Sequence, residues 1–294
     1  MPPQVDKMLS GQEMSEHGLL SRLRRSAVAY RHALALLDPG YIDWRSSGKS
    51  PHHLAFVDHI PLLMDDTQNI GYCLSPLSGG NAPNLAQFIN NHCVNEWQIF
   101  EEESFRLLKP YVPNGKWRLS RNYQANAPSF RPNPNGIVRK LGPEDIVVYE
   151  KRKNPGEETL QRTNLYPAIT DYPSTIRDFQ FMMDGLPVIC YGMFTEGCLV
   201  GFCSANPIYT GVMEISWLVV SEAYRRRGIA SALLTAIAQE IFYRGKVAAY
   251  YAGSAGEDLN DLLTRLGFQE TKSCYRFIPL SSKDQWRTSW GKPL

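Results

Sequence analysis

The stretch that most restricts this chain runs from Glu214 to Gly245, EISWLVVSEAYRRRGIASALLTAIAQEIFYRG. Ile215 to Val220 is apolar and β-branched, which predicts a buried strand. Ser221 to Arg227 is a short loop ending in three arginines. A helix then opens at Gly228 and carries Ile229, Leu233, Ile237 and Ile241 at four-residue steps. Gly245 stands where a left-handed cap is expected. The first N–H groups of a helix lack intrahelical partners, and the helix dipole is positive there. Arginines and a glycine at that point make a phosphate site.

Composition frames the reading. A chain of 294 residues with 43% hydrophobic and 20% charged residues builds a packed core in one large domain or two ordinary ones. A net charge of +2 does not favour a nucleic-acid partner. No apolar run reaches bilayer length, and residues 1–16 lack the apolar core of a signal peptide. The six cysteines have no C-x-x-C spacing, so reduced thiols, a cytoplasmic setting and no metal are expected. His52, His53 and His59 with Asp58, Asp65 and Asp66 raise a metal reading, but strand alternation separates His52 from His53.

Several elements follow from pattern. A helix is expected over Glu16–Leu37, with Arg22, Arg24, Arg25 and Arg31 on a solvated basic face. Strands are expected at Leu54–Val57 and Asn69–Leu74, and a second long helix at Leu85–Leu108. Gln124 to Gly136 is rich in Pro and Asn and reads as a linker. It divides an α/β domain over 1–130 from a second domain over 131–294. Beyond it come a strand at Ile137–Arg139 and a mixed region at Pro167–Asp184. Strands at Pro187–Phe194 and Cys198–Pro207 are joined by the turn Thr195-Glu196-Gly197. A strand over Lys246–Tyr251, a short helix ending in Leu266-Gly267-Phe268 and a closing strand at Ser273–Leu280 complete the order.

Arg225-x-x-Gly228-x-Ala230 resembles the Gln/Arg-x-x-Gly-x-Gly/Ala pyrophosphate loop of the GNAT (GCN-related N-acetyltransferase) superfamily. The flanking strand and helix, and the later Leu-Gly-Phe, extend the resemblance over residues from about 136 to 280. It implies a mixed α/β fold, a central sheet flanked by helices, and acetyl-CoA as co-substrate. It also implies that pantetheine runs along the strand at Leu218, Val219 and Val220. Pyrophosphate would lie over the N–H groups of Arg226, Arg227, Gly228, Ile229, Ala230 and Ser231, with the Arg225–Arg227 side chains adding charge. The first 130 residues show no assigned motif; a domain capping the acceptor pocket and a degenerate copy of the same fold both stay open.

All six histidines lie within the first 92 residues, so the C-terminal half has no histidine base of its own. Glu214, eleven residues before Arg225, resembles the general-base glutamate of the histone-acetyltransferase branch. Burial would suit such a base. Glu196 and Glu222 are weaker candidates. Many members carry a tyrosine four residues before the Gly-Phe glycine as general acid, whereas this chain has Leu263 there. Tyr250 and Tyr251 on the preceding strand point to opposite faces, and Tyr250 is the second catalytic candidate. The expected function is N-acetyl transfer to a primary amine of a small molecule by direct attack. A protein or peptide N-acetyltransferase and a non-catalytic acyl-CoA sensor are the alternatives.

Overall fold

The computed structural model describes residues 18–37, 52–66, 69–92, 94–125, 136–142, 187–253 and 257–279. The expected region at Pro167–Asp184 and the middle of the Pro/Asn linker lie outside them. The chain packs as two compact units. The first takes the residues up to Asn122 together with those from Glu270 onward; the second takes Tyr123–Tyr251 and Glu257–Gln269.

The first unit opens with two short helices, α1 (Leu19–Arg24) and α2 (Arg31–Leu37), in place of one long one. Strands β1 (His52–Val57), β2 (Ile60–Asp65) and β3 (Ile70–Cys73) form an antiparallel meander. Helix α3 (Ala82–Asn91) leads to β4 (Glu96–Ile99), which runs parallel to β3. Helix α4 (Glu102–Leu108) leads to β5 (Gly115–Ala125).

Two departures from the sequence reading have local causes. Strand β2 follows a two-residue turn in which Asp58 and His59 hold φ of 47° and 64°. That is the primed hairpin geometry, here without the usual Asn-Gly or Asp-Gly signal. The expected helix over Leu85–Leu108 is instead α3, β4 and α4. Its Glu96-Trp97-Gln98-Ile99 alternates polar and apolar residues, yet all four are buried. Trp97 enters a core with Leu62, Leu85, Ile89 and Phe277. The basic helix face is also not simply solvated. Arg31 is 1% exposed and donates from Nη1 to the Val28 carbonyl and to Asn122 Oδ1, both at 2.7 Å.

From Ile189 onward the described elements of the second unit repeat the order of three strands, helix, strand and helix that runs from β1 in the first. Strand β6 (Ile137–Lys140) pairs antiparallel with β7 (Ile189–Thr195). Strands β8 (Cys198–Tyr209) and β9 (Val212–Val220) continue the meander. The β7–β8 turn again has two positive φ values, 52° at Glu196 and 77° at Gly197. Helix α5 (Ile229–Tyr243) leads to β10 (Val247–Ala252), parallel to β9, and α6 (Glu257–Arg265) follows. The predicted stripe Ile229, Leu233, Ile237 and Ile241 is buried along α5.

Both described helices of this unit end on a left-handed glycine. Gly245 (φ 66°) donates to the Phe242 carbonyl while Lys246 donates to Ile241, a paired C-terminal cap that fits the sequence signal. Gly267 and Phe268 repeat it on Thr264 and Leu263.

After β11 (Gln269–Glu270), the last described strand is β12 (Cys274–Pro279). The sequence places it as the closing strand of the C-terminal domain. In the fold it pairs antiparallel with β4 and with Gly115–Ser120 of β5, inside the first unit. Its β4 register partners are Ile99, Gln98 and Trp97, and Arg276 also bonds the buried Glu96, a pairing that pattern in one segment cannot reveal.

Candidate acyl-donor cleft on strand β9

The site is built where a parallel ladder stops. β10 pairs with β9 from Val247↔Val212 to Tyr250↔Ile215. β9 then runs on to Val220, so among the described residues the edge that carries Leu218, Val219 and Val220 stays open on the β10 side. Its other edge is held by β8, with Cys203↔Leu218, Phe202↔Val219 and Gly201↔Val220 in register. An open strand edge presents a row of N–H and C=O groups to an extended ligand that carries amides.

A bulge lies at the same place. Ser204 of β8 pairs with Trp217 and Ala205 with Ile215, which leaves Ser216 as the extra residue. Bulges re-aim side chains and terminate pairing.

The open edge leads into the arginine loop. Arg226 holds φ of 62° and Gly228 holds φ of 79°. At Gly228 an L side chain would be strained, so glycine is the fitting residue there. Gly228 caps α5 with no side-chain hydrogen bond, leaving the first N–H groups of the helix, at Ile229, Ala230 and Ser231, for an anion. Arg225, Arg226 and Arg227 are all exposed. Arg225 Nε donates to the Val220 carbonyl at 3.3 Å, tying the loop to the strand end. Arg226 meets Asp258 at 2.7 Å in an exposed pair, which holds it only weakly.

The two faces of the sheet differ in chemistry. A Cβ at Gly201 would meet Ile229 Cγ2 at 2.8 Å and Leu233 Cδ1 at 3.0 Å, so that face carries α5. Alternation along β8 and the register put Cys203, Ala205, Ile215 and Tyr250 on the α5 face. Ser204, Asn206 and Glu214 take the opposite face. Ser216 joins them: Asn206 Nδ2 donates to Ser216 Oγ at 2.8 Å, and Ser204 Oγ lies 3.1 Å from it. Glu214 is 8% exposed and is the register partner of Asn206.

The two residues predicted to be catalytic thus sit at the ladder's end but on opposite faces. Tyr250 is buried, and its phenol is pushed up first by burial, then by Cys203 and Glu214 nearby. Tyr251 takes the Glu214 face. Leu263, where the resemblance would place a tyrosine, is 0% exposed. Glu196 lies in the β7–β8 turn and Glu222 is exposed in the loop. The sequence reading missed Ser204, Asn206 and Ser216. Their polarity within an apolar strand pair was the available signal.

The equivalent position in the first unit is closed. The β3–β4 ladder runs to Cys73↔Ile99, the last residue of each strand. Arg22 Nη2 donates to the Leu74 carbonyl and to Ser75 Oγ, both at 2.7 Å, just past the end of β3. The loop Leu74–Asn81 has no arginine or lysine. Helix α3 has Pro83 in its first turn, which removes an N–H.

Among the described residues no group of three His, Cys, Asp or Glu side chains converges as a metal would require. None of the described helices is long and apolar enough to cross a membrane.

Residues 157–268 match the Acetyltransferase (GNAT) family. No curated protein matches the chain. Among solved structures, a Drosophila protein is similar at 15% identity and a TM-score of 0.55, covering 94% of this chain and 98% of its own. A GCN5-related N-acetyltransferase from Sphaerobacter thermophilus is similar at 16% identity and a TM-score of 0.50, covering 86% of this chain and 92% of its own. At such identities the likeness is one of fold.

Proposed function

We propose that the protein, whose residues 157–268 match the Acetyltransferase (GNAT) family, transfers an acetyl group from acetyl-CoA to the primary amine of a small molecule. The observation that carries this reading is the continuity of three features. An open edge over Leu218–Val220 runs from the end of the β9–β10 ladder to the arginine loop and the uncapped start of α5. Pantetheine amides suit the strand edge, and pyrophosphate suits the N–H groups of Arg226–Ser231 with the Arg225–Arg227 charges.

Glu214 is the base in this reading. It lies on β9 one residue before the last ladder pair, buried on the face that also carries Ser216 and Asn206. It takes the ammonium proton as the amine nitrogen bonds to the thioester carbon and the C–S bond breaks. No acyl-enzyme is needed, and a CoA thiolate leaves readily without an acid at Leu263.

The alternatives are a protein or peptide acceptor and a sensor that holds acyl-CoA without turnover. An amine panel incubated with acetyl-CoA, read by release of free CoA thiol, tests all three. Turnover on an amino acid, polyamine or other small amine supports the proposal. Turnover only on peptides favours the second reading. CoA binding by calorimetry with no turnover on either favours the sensor.

A further inference from the structure

Arg226 already has an anionic partner inside the second unit. Its backbone holds φ of 62°, a conformation that few residues other than glycine adopt. Its side chain is 82% exposed, and Nη2 donates to Asp258 Oδ2 at 2.7 Å. Arg225 is engaged differently, through Nε on the Val220 carbonyl. A carboxylate therefore sits on the arginine loop, at the place where the proposed donor sets its pyrophosphate.

Asp258 stands in the first turn of α6 and is 76% exposed. An acid suits a helix start, but the sequence supplies Glu257 beside it, so α6 does not depend on Asp258 alone. The helix itself is fixed. Leu263 and Leu266 are buried, and its end is capped through Gly267 and Phe268. An aspartate side chain is short. On a fixed helix its carboxylate cannot retreat far when Arg226 takes another partner.

Two anions then compete for one guanidinium. An exposed ion pair is weak. A phosphate gains charge-assisted bonds from the guanidinium and also from the N–H groups at the start of α5. The phosphate therefore displaces the carboxylate. Asp258 stays behind, inside the screening length of about 10 Å at 0.1 M salt, and its charge opposes that of the bound pyrophosphate.

We infer that Asp258 sets the affinity of the donor site: it competes with the pyrophosphate of CoA for Arg226, weakens CoA binding and speeds CoA release. The inference rests on the acyl-CoA reading given above. A carboxylate that only oriented Arg226 for the phosphate would act with the opposite sign.

The test is Asp258→Asn in the full chain. Asparagine is near-isosteric and keeps an oxygen that accepts from Arg226, so the charge alone is lost. Thermal melts check that the variant folds. At low salt, calorimetry should show CoA bound about threefold to thirtyfold more tightly than by wild type. Stopped-flow displacement should show release slowed by a similar factor. The gain should shrink as salt rises past about 0.1 M, because screening removes the repulsion. Dephospho-CoA keeps the pyrophosphate and should gain equally. Glu240→Gln is the control. It removes the same charge in the last turn of α5, a helix of 15 residues and so about 22 Å long, and should leave CoA affinity unchanged. CoA affinity in Asp258→Asn equal to or below wild type overturns the role of Asp258 while leaving the acyl-CoA site standing. An equal gain in Glu240→Gln, or a gain with CoA that dephospho-CoA does not share, overturns it likewise. A wild-type chain that does not bind CoA overturns both.

Discussion

Arg276 donates from Nε to Glu96 Oε1 at 2.6 Å, and its Nη2 engages Glu96 Oε2. The pair joins the last strand to β4 in the first unit. Glu96 is 0% exposed and also accepts from Gln98 Nε2 at 2.9 Å. Removing one partner leaves the other charge buried. Arg276→Ala is expected to destabilise the first unit by about 3–5 kcal/mol. An Arg276→Met, Glu96→Leu double change should cost far less. Urea unfolding of the three proteins checks the difference.

Glu214→Gln keeps the size and burial of the side chain but cannot take a proton. CoA binding by calorimetry should be unchanged, while kcat for amine acetylation falls about a hundredfold or more. Equal turnover in the variant would remove Glu214 from the reaction.

Gly228 holds φ of 79° at the start of α5. Gly228→Ala places an L residue in the left-handed region at a cost of about 1–2 kcal/mol. It also crowds the anion site, so CoA affinity should drop about tenfold or more by calorimetry. Thermal melts of the same protein separate the stability loss from the binding loss.

The closed β3–β4 ladder, the Arg22 contact with Leu74 and the cation-free loop Leu74–Asn81 give the described residues of the first unit no counterpart of the proposed acyl-CoA cleft. Calorimetry with CoA should therefore fit one site per chain. Arg226→Ala should weaken that site and flatten its salt dependence. A second saturable site unaffected by this change would contradict the reading.

Tyr30 and Cys73 are buried in the first unit, and burial pushes their pKa values from 10.0 and 9.0 up to about 12 each. The unfolded chain releases these protons at lower pH than the folded one. Their contribution is full below about pH 9 and is lost as pH rises towards about 12. Unfolding midpoints in urea should fall over that window. Tyr30→Phe should reduce the fall.

The strand, loop and helix at Glu214–Gly245 were readable because each element carries its own local signal. The β-branched run, the four-residue apolar steps and the capping Gly245 all reappear in the fold. The β7–β8 turn was readable for the same reason, since Gly197 marks it. The β1–β2 turn was not, because Asp58 and His59 take left-handed conformations without a glycine. Strand β4 was hidden because Glu96 and Gln98 look like a polar helix face until Arg276, 180 residues away, bonds Glu96, which also accepts from Gln98.

By itself the sequence determined the loop and helix start proposed to bind phosphate, since residues Arg225–Ser231 are consecutive and local backbone preference shapes them. It also determined that Glu214 lies one strand length upstream of that loop. Only the tertiary structure decided where the β9–β10 ladder ends, which face Tyr250 takes, and that Ser204, Asn206 and Ser216 meet across a bulge. It alone decided that the last strand completes the sheet of the first unit. Register, bulges and buried polar pairs join residues far apart in the chain. Their energy depends on partners that no single segment contains.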